Sequence, residues 1–319
     1  MSRKALMAAM LALPLSLTLP TVSALAQTHG HSSDHGHQHA DFQSDRIHVR
    51  VDGLEGGPDV VLIPGLTSSP RIWQDTVDQL SATHRIHRIH VNGFAGAPAG
   101  GNAQSGDTPS PFVVPVAEEI ARYIEENGLQ KPAVIGHSLG GTLAMTLASR
   151  HPDAVSKVMV VDMLPFVGAM FGPPGATTAE SVQPVALNMW RQQATISRED
   201  YNTAGVATVT GMVNNEARRP MAIEDVERSD QAVASAAYYD LVISDLRADL
   251  PKITVPMTVL YVKFNDARMT NEITDMIYRA SFSTRPETTL KRIDDSAHFI
   301  MFDQPEVFAA EVDSFLKSN

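Results

Sequence analysis

The run Gly136-His137-Ser138-Leu139-Gly140-Gly141 constrains the fold more than any other part of this sequence. It follows a short apolar stretch at 133–135, which predicts a buried strand, and leads into residues 139–150, which predict a helix ending before Pro152. A serine between glycines at such a junction indicates a sharp turn that raises its hydroxyl above the end of the strand. We interpret Ser138 as a nucleophile. The alternative is an inert serine in a tight structural turn.

The rest of the chain alternates predicted strands with predicted helices. The predicted strands are 46–51, 60–63, 85–91, 133–135, 155–161, 257–262 and 289–293. The predicted helices are 70–80, 111–127, 139–150, 271–278 and 305–316. This alternation indicates an α/β fold with a mostly parallel sheet and helices on both faces.

One long segment interrupts the alternation. Residues 164–250 are mostly helical in propensity and too long for a simple loop. We predict a helical cap there, inserted into an α/β core formed by residues 45–163 and 251–319. The methionines of the segment favour either an adaptable, apolar acyl pocket or ordinary packing of the cap. These methionines are Met170, Met189, Met212 and Met221.

The first 26 residues have the pattern of a signal peptide. Ser2-Arg3-Lys4 gives a positive start, residues 5–19 are apolar, and Ala24-Leu25-Ala26 supplies the small-residue cleavage pattern. We therefore predict an exported protein, periplasmic or secreted, with an uncleaved anchor as the alternative. No second long apolar stretch follows, so we expect no stable membrane span after cleavage.

Residues 27–44 form a polar, histidine-rich leader. Its histidines are His29, His31, His35, His37 and His39. The leader lacks the apolar residues needed to fold alone, so we predict disorder. The alternative is a weak site for zinc, copper or nickel, which would make the chain a periplasmic metal-binding protein.

The composition excludes several classes of function. There is no cysteine, so the chain has neither disulfides nor a cysteine nucleophile nor a cysteine-ligated metal. The formal net charge is −11 and no basic stripe stands out, so nucleic acid is not an expected partner.

A nucleophilic serine needs a base, and His298 is the candidate. It follows the last predicted strand and precedes the closing helix. His137 is set aside because it adjoins Ser138 on the turn and is expected to point away.

Two aspartates compete for the role of the acid that orients the base. Asp266 follows the penultimate strand, and Asp162 ends the strand after the elbow helix. Both are expected at the carboxyl edge of the sheet, within reach of His298. We place Asp266 slightly ahead of Asp162, which has pinning the start of the insertion as its alternative role.

An acyl-transfer site also needs donors for a developing oxyanion. The backbone N–H of Leu139 lies at a predicted helix start, where the helix dipole favours negative charge. The second candidate is the N–H of Leu66, in the loop after the first buried strand.

With these residues in place, the chain resembles the α/β-hydrolase superfamily over residues 46–316. The match is carried by residues 136–141, by His298-Phe299 with Asp303 and Pro305, and by Asp245-Leu246-Arg247 leading to Pro256. The resemblance implies an eight-stranded, mostly parallel sheet with a helical cap between the sixth and seventh strands.

The chain also departs from the usual family pattern. Pro64-Gly65 stands where the oxyanion loop commonly reads His-Gly, and Lys263 replaces a glycine in the loop that usually carries the acid. In some members the acid instead follows the sixth strand, where Asp162 lies.

The sequence therefore predicts an exported serine hydrolase that cleaves a carboxylic ester of a small molecule through an acyl-enzyme, with no metal or organic cofactor. Lactonase, thioesterase, amidase, perhydrolase and C–C hydrolase chemistry can use the same machinery and remain alternatives.

Overall fold

The computed structural model describes residues 42–173 and 175–318. The predicted signal peptide and nearly all of the histidine-rich leader lie outside these residues, and so does the metal site considered for the leader. No helix in the described part of the chain is both long and apolar enough to cross a membrane.

A single mixed sheet forms the centre of the described structure. Its strands are β1 (Ile47–Gly53), β2 (Asp59–Ile63), β3 (Arg85–Val91), β4 (Ala133–His137), β5 (Lys157–Val161), β6 (Met257–Tyr261) and β7 (Thr289–Arg292). Their order is β1-β3-β2-β4-β5-β6-β7, with β1 antiparallel to β3 and the other neighbours parallel. The mostly parallel α/β sheet is confirmed, although the described residues form seven strands where the resemblance implies eight.

Ten α-helices accompany the sheet in the described residues. They are α1 (Gln74–Leu80), α2 (Val113–Glu126), α3 (Leu139–Arg150), α4 (Ala179–Thr195), α5 (Arg198–Thr210), α6 (Arg219–Arg228), α7 (Gln231–Ile243), α8 (Asn271–Ser281), α9 (Ile300–Asp303) and α10 (Pro305–Lys317). Helices α4 to α7 lie between β5 and β6, within residues 164–250, where the alternation of predicted strands and helices is interrupted.

Two apolar layers cover the sheet because alternate residues of a strand face opposite sides. Val61 and Ile63 of β2 pack in the layer that contains residues of α2, α3 and α8. Val60 and Leu62 of the same strand pack in the layer that contains residues of α1 and α10. Helices therefore cover both faces, as the sequence predicts.

The parallel strands bring their carboxyl ends to one edge of the sheet. In open α/β sheets this edge is where ligands bind. Ser138 follows β4 there, and Asp162 follows β5. The loops after β2 and β7 supply Leu66 and His298 at the same edge.

A buried polar cluster lies between β3 and α2, away from this edge. His87 is fully buried, with Nδ1 2.6 Å from the Tyr123 hydroxyl and Nε2 2.9 Å from Asp59 Oδ1. Burial lowers the pKa of His87 below its ordinary value of 6.5, and the neighbouring Asp59 only partly offsets this.

This cluster predicts a pH dependence of stability. On acidification below about 6.5 the unfolded chain takes up a proton at His87 before the folded chain does, so the free energy of unfolding falls. Replacing His87→Gln should reduce that slope by up to about 1.4 kcal/mol per pH unit. Urea unfolding of both proteins between neutral and mildly acidic pH measures it, and identical slopes would contradict the prediction.

Candidate active site

Ser138 lies at the turn between β4 and α3, with backbone angles φ 54° and ψ −123°. A non-glycine residue held in such a region costs on the order of 1–3 kcal/mol and persists only where its surroundings impose it. The amide of Ser138 donates to the Val161 carbonyl at 2.9 Å, which ties the turn to the end of β5. The geometry is that of a nucleophile elbow.

Gly140 allows α3 to begin against the end of β2. A Cβ at this position would lie 2.2 Å from the carbonyl oxygen of Ile63, far inside any nonbonded contact. A larger residue would therefore push the helix away from the sheet and displace the turn that holds Ser138.

The loop after β2 passes directly beside Ser138. A Cβ at Gly65 would lie 3.0 Å from the Cβ of Ser138, tighter than an ordinary contact, so a side chain there would push the two segments slightly apart. Leu66 follows Gly65, and Leu139 opens α3 next to Ser138. Among the described residues the amides of Leu66 and Leu139 have no hydrogen-bond acceptor, which leaves both available to an oxyanion.

His298 and Asp162 form a short, partly buried pair. His298 Nδ1 lies 2.6 Å from Asp162 Oδ2, and the two side chains are 20% and 11% exposed. The imidazole ring also packs on the ring of His137, with centroids 4.7 Å apart. The base candidate is therefore held beside the residue that precedes Ser138.

The second carboxylate oxygen of Asp162 has two donors of its own. The amide of Val262 and the hydroxyl of Tyr278 both reach Oδ1, each at 3.1 Å. Burial, followed by the negative charge of Asp162, raises the pKa of Tyr278 well above its ordinary value, so the hydroxyl keeps its proton and donates. With His298 on Oδ2, three donors fix the orientation of the carboxylate.

The structure places Asp266 elsewhere, which reverses the order in which we ranked the two aspartates. The Asp266 carboxylate binds its neighbour Arg268, at 2.9 Å to Nε and 2.5 Å to Nη2, and also accepts from the Arg268 amide at 2.8 Å. The hydrogen bonds and charge of this arginine hold the pKa of Asp266 far below its usual range. Strand β6 ends at Tyr261, so Asp266 lies several residues along a loop, whereas Asp162 directly follows β5.

The helical insertion is tied to the loop beside Ser138 by buried polar groups. Asp225 of α6 accepts from the Ser69 amide at 2.7 Å and pairs with Arg71 at 2.5 Å. The hydroxyl of Ser229 accepts from the Ala95 amide at 2.8 Å. These contacts join the insertion to the loops that follow β2 and β3.

The loop that carries His298 is also anchored from both sides. The amide of Ala297 donates to Asp303 at 2.8 Å, and the other carboxylate oxygen of Asp303 accepts from the Asn215 amide at 2.8 Å. The amide of Phe299 donates to the Met212 carbonyl of the insertion at 3.2 Å. The position of the base therefore depends on the insertion as well as on the sheet.

Sequence reasoning missed Tyr278 and the insertion contacts of Asp225 and Ser229. Tyr278 occupies an ordinary apolar position in the helical pattern, and nothing in its spacing indicates a contact with Asp162.

In residues 42–173 and 175–318 no group of three or more metal-ligating side chains is close enough to hold a metal ion.

Comparison with known proteins points to one family. A family model described as the alpha/beta hydrolase family matches residues 60–311. The pimeloyl-[acyl-carrier protein] methyl ester esterase of Vibrio atlanticus is 30% identical over 283 residues, covering 85% of this chain and 98% of that protein.

Solved structures share the fold. An esterase from Exiguobacterium antarcticum matches with a TM-score of 0.67 at 19% identity, covering 85% of this chain and 96% of that one. An enol-lactonase from Burkholderia xenovorans matches with a TM-score of 0.66 at 18% identity, with the same two coverages.

The hydrogen bond from Tyr278 to Asp162 predicts a selective effect on ester turnover. Tyr278→Phe removes one of the two donors to Asp162 Oδ1 and leaves the Val262 amide. It should lower kcat roughly tenfold, because small misplacements of catalytic groups cost up to about a hundredfold. Steady-state kinetics on a chromogenic ester measures this.

The matched control is Tyr261→Phe. Tyr261 stacks on Tyr278 with ring centroids 4.0 Å apart, but its hydroxyl donates to Asp275 instead, at 2.9 Å. Its loss should leave kcat unchanged. Both variants keep the stacked rings, so equal losses would mean that removing either hydroxyl disturbs this region, and would contradict a specific role for the bond to Asp162.

Proposed function

The chain belongs to the alpha/beta hydrolase family and is an ester-hydrolysing enzyme, and on that basis we propose that it is an exported serine esterase acting through Ser138, His298 and Asp162. The observation that carries the proposal is the 2.6 Å pair of His298 Nδ1 and Asp162 Oδ2 next to the strained turn at Ser138. A serine, a base and an acid of this kind are the parts that acyl transfer requires.

The proposed reaction follows from which atoms are already engaged. Because Nδ1–H of His298 donates a hydrogen bond to Asp162, the unprotonated Nε2 is left to remove the proton from the Ser138 hydroxyl. The serine oxygen then attacks the ester carbonyl, and the amides of Leu66 and Leu139 stabilise the oxyanion. His298 returns the proton to the departing alcohol.

A second half-reaction releases the acid. Water, deprotonated by His298, attacks the acyl group on Ser138, and the second tetrahedral intermediate uses the same two amides. When the intermediate collapses, His298 returns the proton to the Ser138 oxygen. All of these steps use groups of this chain.

We propose a small-molecule ester as the substrate. Leu66 lies in the loop beside Ser138 and is only partly buried, so an apolar side chain is available there to contact an apolar acyl chain. Residues 179–243, which contain the four inserted helices, hold nine acidic residues and five arginines. Because like charges repel, this acidic segment would disfavour an ester attached to an acidic carrier protein and suits a free ester better. The name of the Vibrio relative supports a carboxylic ester as the bond cleaved.

The first test uses a covalent probe and ester turnover together. A fluorophosphonate should label the wild-type protein and leave Ser138→Ala unlabelled, because the serine oxygen forms the bond. Asp162→Asn should lower kcat for ester hydrolysis on the order of a thousandfold or more, because it removes the carboxylate that stabilises the charged base.

Asp266→Asn is the matched control for the acid, since it changes a carboxylate bonded to Arg268 instead of His298. It should retain wild-type turnover. Labelling of Ser138→Ala would exclude Ser138 as the nucleophile. A large loss of kcat in Asp266→Asn with none in Asp162→Asn would make Asp266 the acid, as the sequence analysis preferred. A panel of esters, lactones and thioesters on the mature protein would then separate the related activities.

The proposed export rests on the first 26 residues and has its own test. Expressed in a Gram-negative host, the full chain should be recovered from the periplasm or medium with Gln27 as its first residue, by fractionation and intact mass. Leu13→Arg combined with Leu15→Arg should keep it in the cytoplasm, because charges disrupt the apolar region. Recovery of the uncleaved wild-type chain from the cytoplasm would contradict export.

A further inference from the structure

His137, which precedes the proposed nucleophile, is a buried polar side chain with a specific hydrogen bond, which apolar packing alone does not explain. The side chain is fully buried, and its Nε2 lies 3.0 Å from the backbone carbonyl oxygen of His298. Its ring contacts those of both His298 and Phe299, at centroid distances of 4.7 and 4.6 Å. The sequence suggested that this histidine points away from Ser138; in the structure its side chain contacts the loop that carries His298.

The proton on His137 can be placed from its partner. A carbonyl oxygen only accepts, so Nε2 must carry hydrogen and donate to it. Burial, followed by the proximity of His298, lowers the pKa of His137 well below its ordinary value, so the ring is neutral and Nδ1 has no proton. Among the described residues Nδ1 has no hydrogen-bond partner. The side chain thus keeps one buried nitrogen unsatisfied while using the other on a single carbonyl.

An apolar side chain would fill the same space without an unsatisfied nitrogen, but it would leave the His298 carbonyl without this donor. The N–H of the same peptide group, that of Phe299, donates to the Met212 carbonyl, and the amide of Ala297, one residue before His298, donates to Asp303. The bond from His137 is the contact that ties this loop to the strand ending at the nucleophile.

We propose that His137 is a positioning residue: its Nε2–H holds the backbone of His298 so that the imidazole of His298 faces Ser138. The inference rests on the proposed esterase function. The hydrogen bond of His137 goes to the backbone of His298 and not to its imidazole, so His137 acts through the loop of the base. His137 is covalently joined to Ser138 and hydrogen-bonded to the backbone of His298, so it couples the elbow to the loop of the base.

Two substitutions separate the hydrogen bond from the ring contacts. His137→Phe keeps an aromatic ring against His298 and Phe299 and removes the donor, whereas His137→Gln removes the ring and retains an N–H near the position of Nε2. We expect His137→Phe to lower kcat for ester hydrolysis roughly tenfold or more with little change in KM. We expect His137→Gln to keep kcat within about threefold of wild type.

The rate of fluorophosphonate labelling provides a second readout, because labelling needs the serine and its base but no acyl pocket. It should fall in His137→Phe by a factor similar to that for kcat. Thermal unfolding checks that each variant is folded, and His137→Leu, which removes the donor in a smaller volume, replaces His137→Phe if that protein does not fold.

His90→Leu is the matched control. His90 Nε2 also lies 2.9 Å from a backbone carbonyl oxygen near the same edge of the sheet, that of Phe94. Losing this bond should leave kcat unchanged. Wild-type turnover in the donor-free variant, or equal losses in His137→Gln and His137→Phe, would overturn the positioning role. Failure of the wild-type protein to react with either ester or probe would instead reject the proposed function.

Discussion

The strained turn at Ser138 is the constraint on which the rest of the site depends. Ser138 keeps its positive φ because α3 starts against the end of β2. The gap there is too narrow for any side chain, and Gly140 fits it. The same closeness brings Gly65 against Ser138 and places two unbonded amides on either side of the serine. The hydrophobic layers on both faces of the sheet hold these segments together, so the packing energy of the core offsets the cost of the strained turn.

The base is less directly held than the nucleophile. Its side chain depends on Asp162, and its backbone depends on contacts from β4, from Asp303 and from the helical insertion. Since Asp303 and Met212 connect the base loop to the insertion, and Asp225 connects the insertion to the loop beside Ser138, the inserted helices form part of the frame of the site. A change in their packing would reach both the serine and the histidine.

The alternation of strands and helices was readable from the sequence because apolar periodicity reports burial along each element. The proposed roles of Ser138 and His298 followed from their places after strands. The choice between the two aspartates did not follow, because the sequence does not show that Asp266 turns back to Arg268 or that the imidazole of His298 reaches Asp162. Tyr278 and His137 were missed for a related reason: where their side chains point depends on how α8 and the base loop pack over the sheet.

The proposed nucleophile and acid stand at the ends of neighbouring strands. Gly136 pairs with Val160 and His137 with Val161 in one parallel ladder, so the register of β4 against β5 sets the spacing between Ser138 and Asp162. Apart from Val262, whose amide donates to Asp162, the loop between β6 and α8 supplies no group to the proposed triad. Residues 263–270 can therefore change in length and composition without disturbing the pair of Asp162 and His298, which makes them a natural place for engineering to introduce variation.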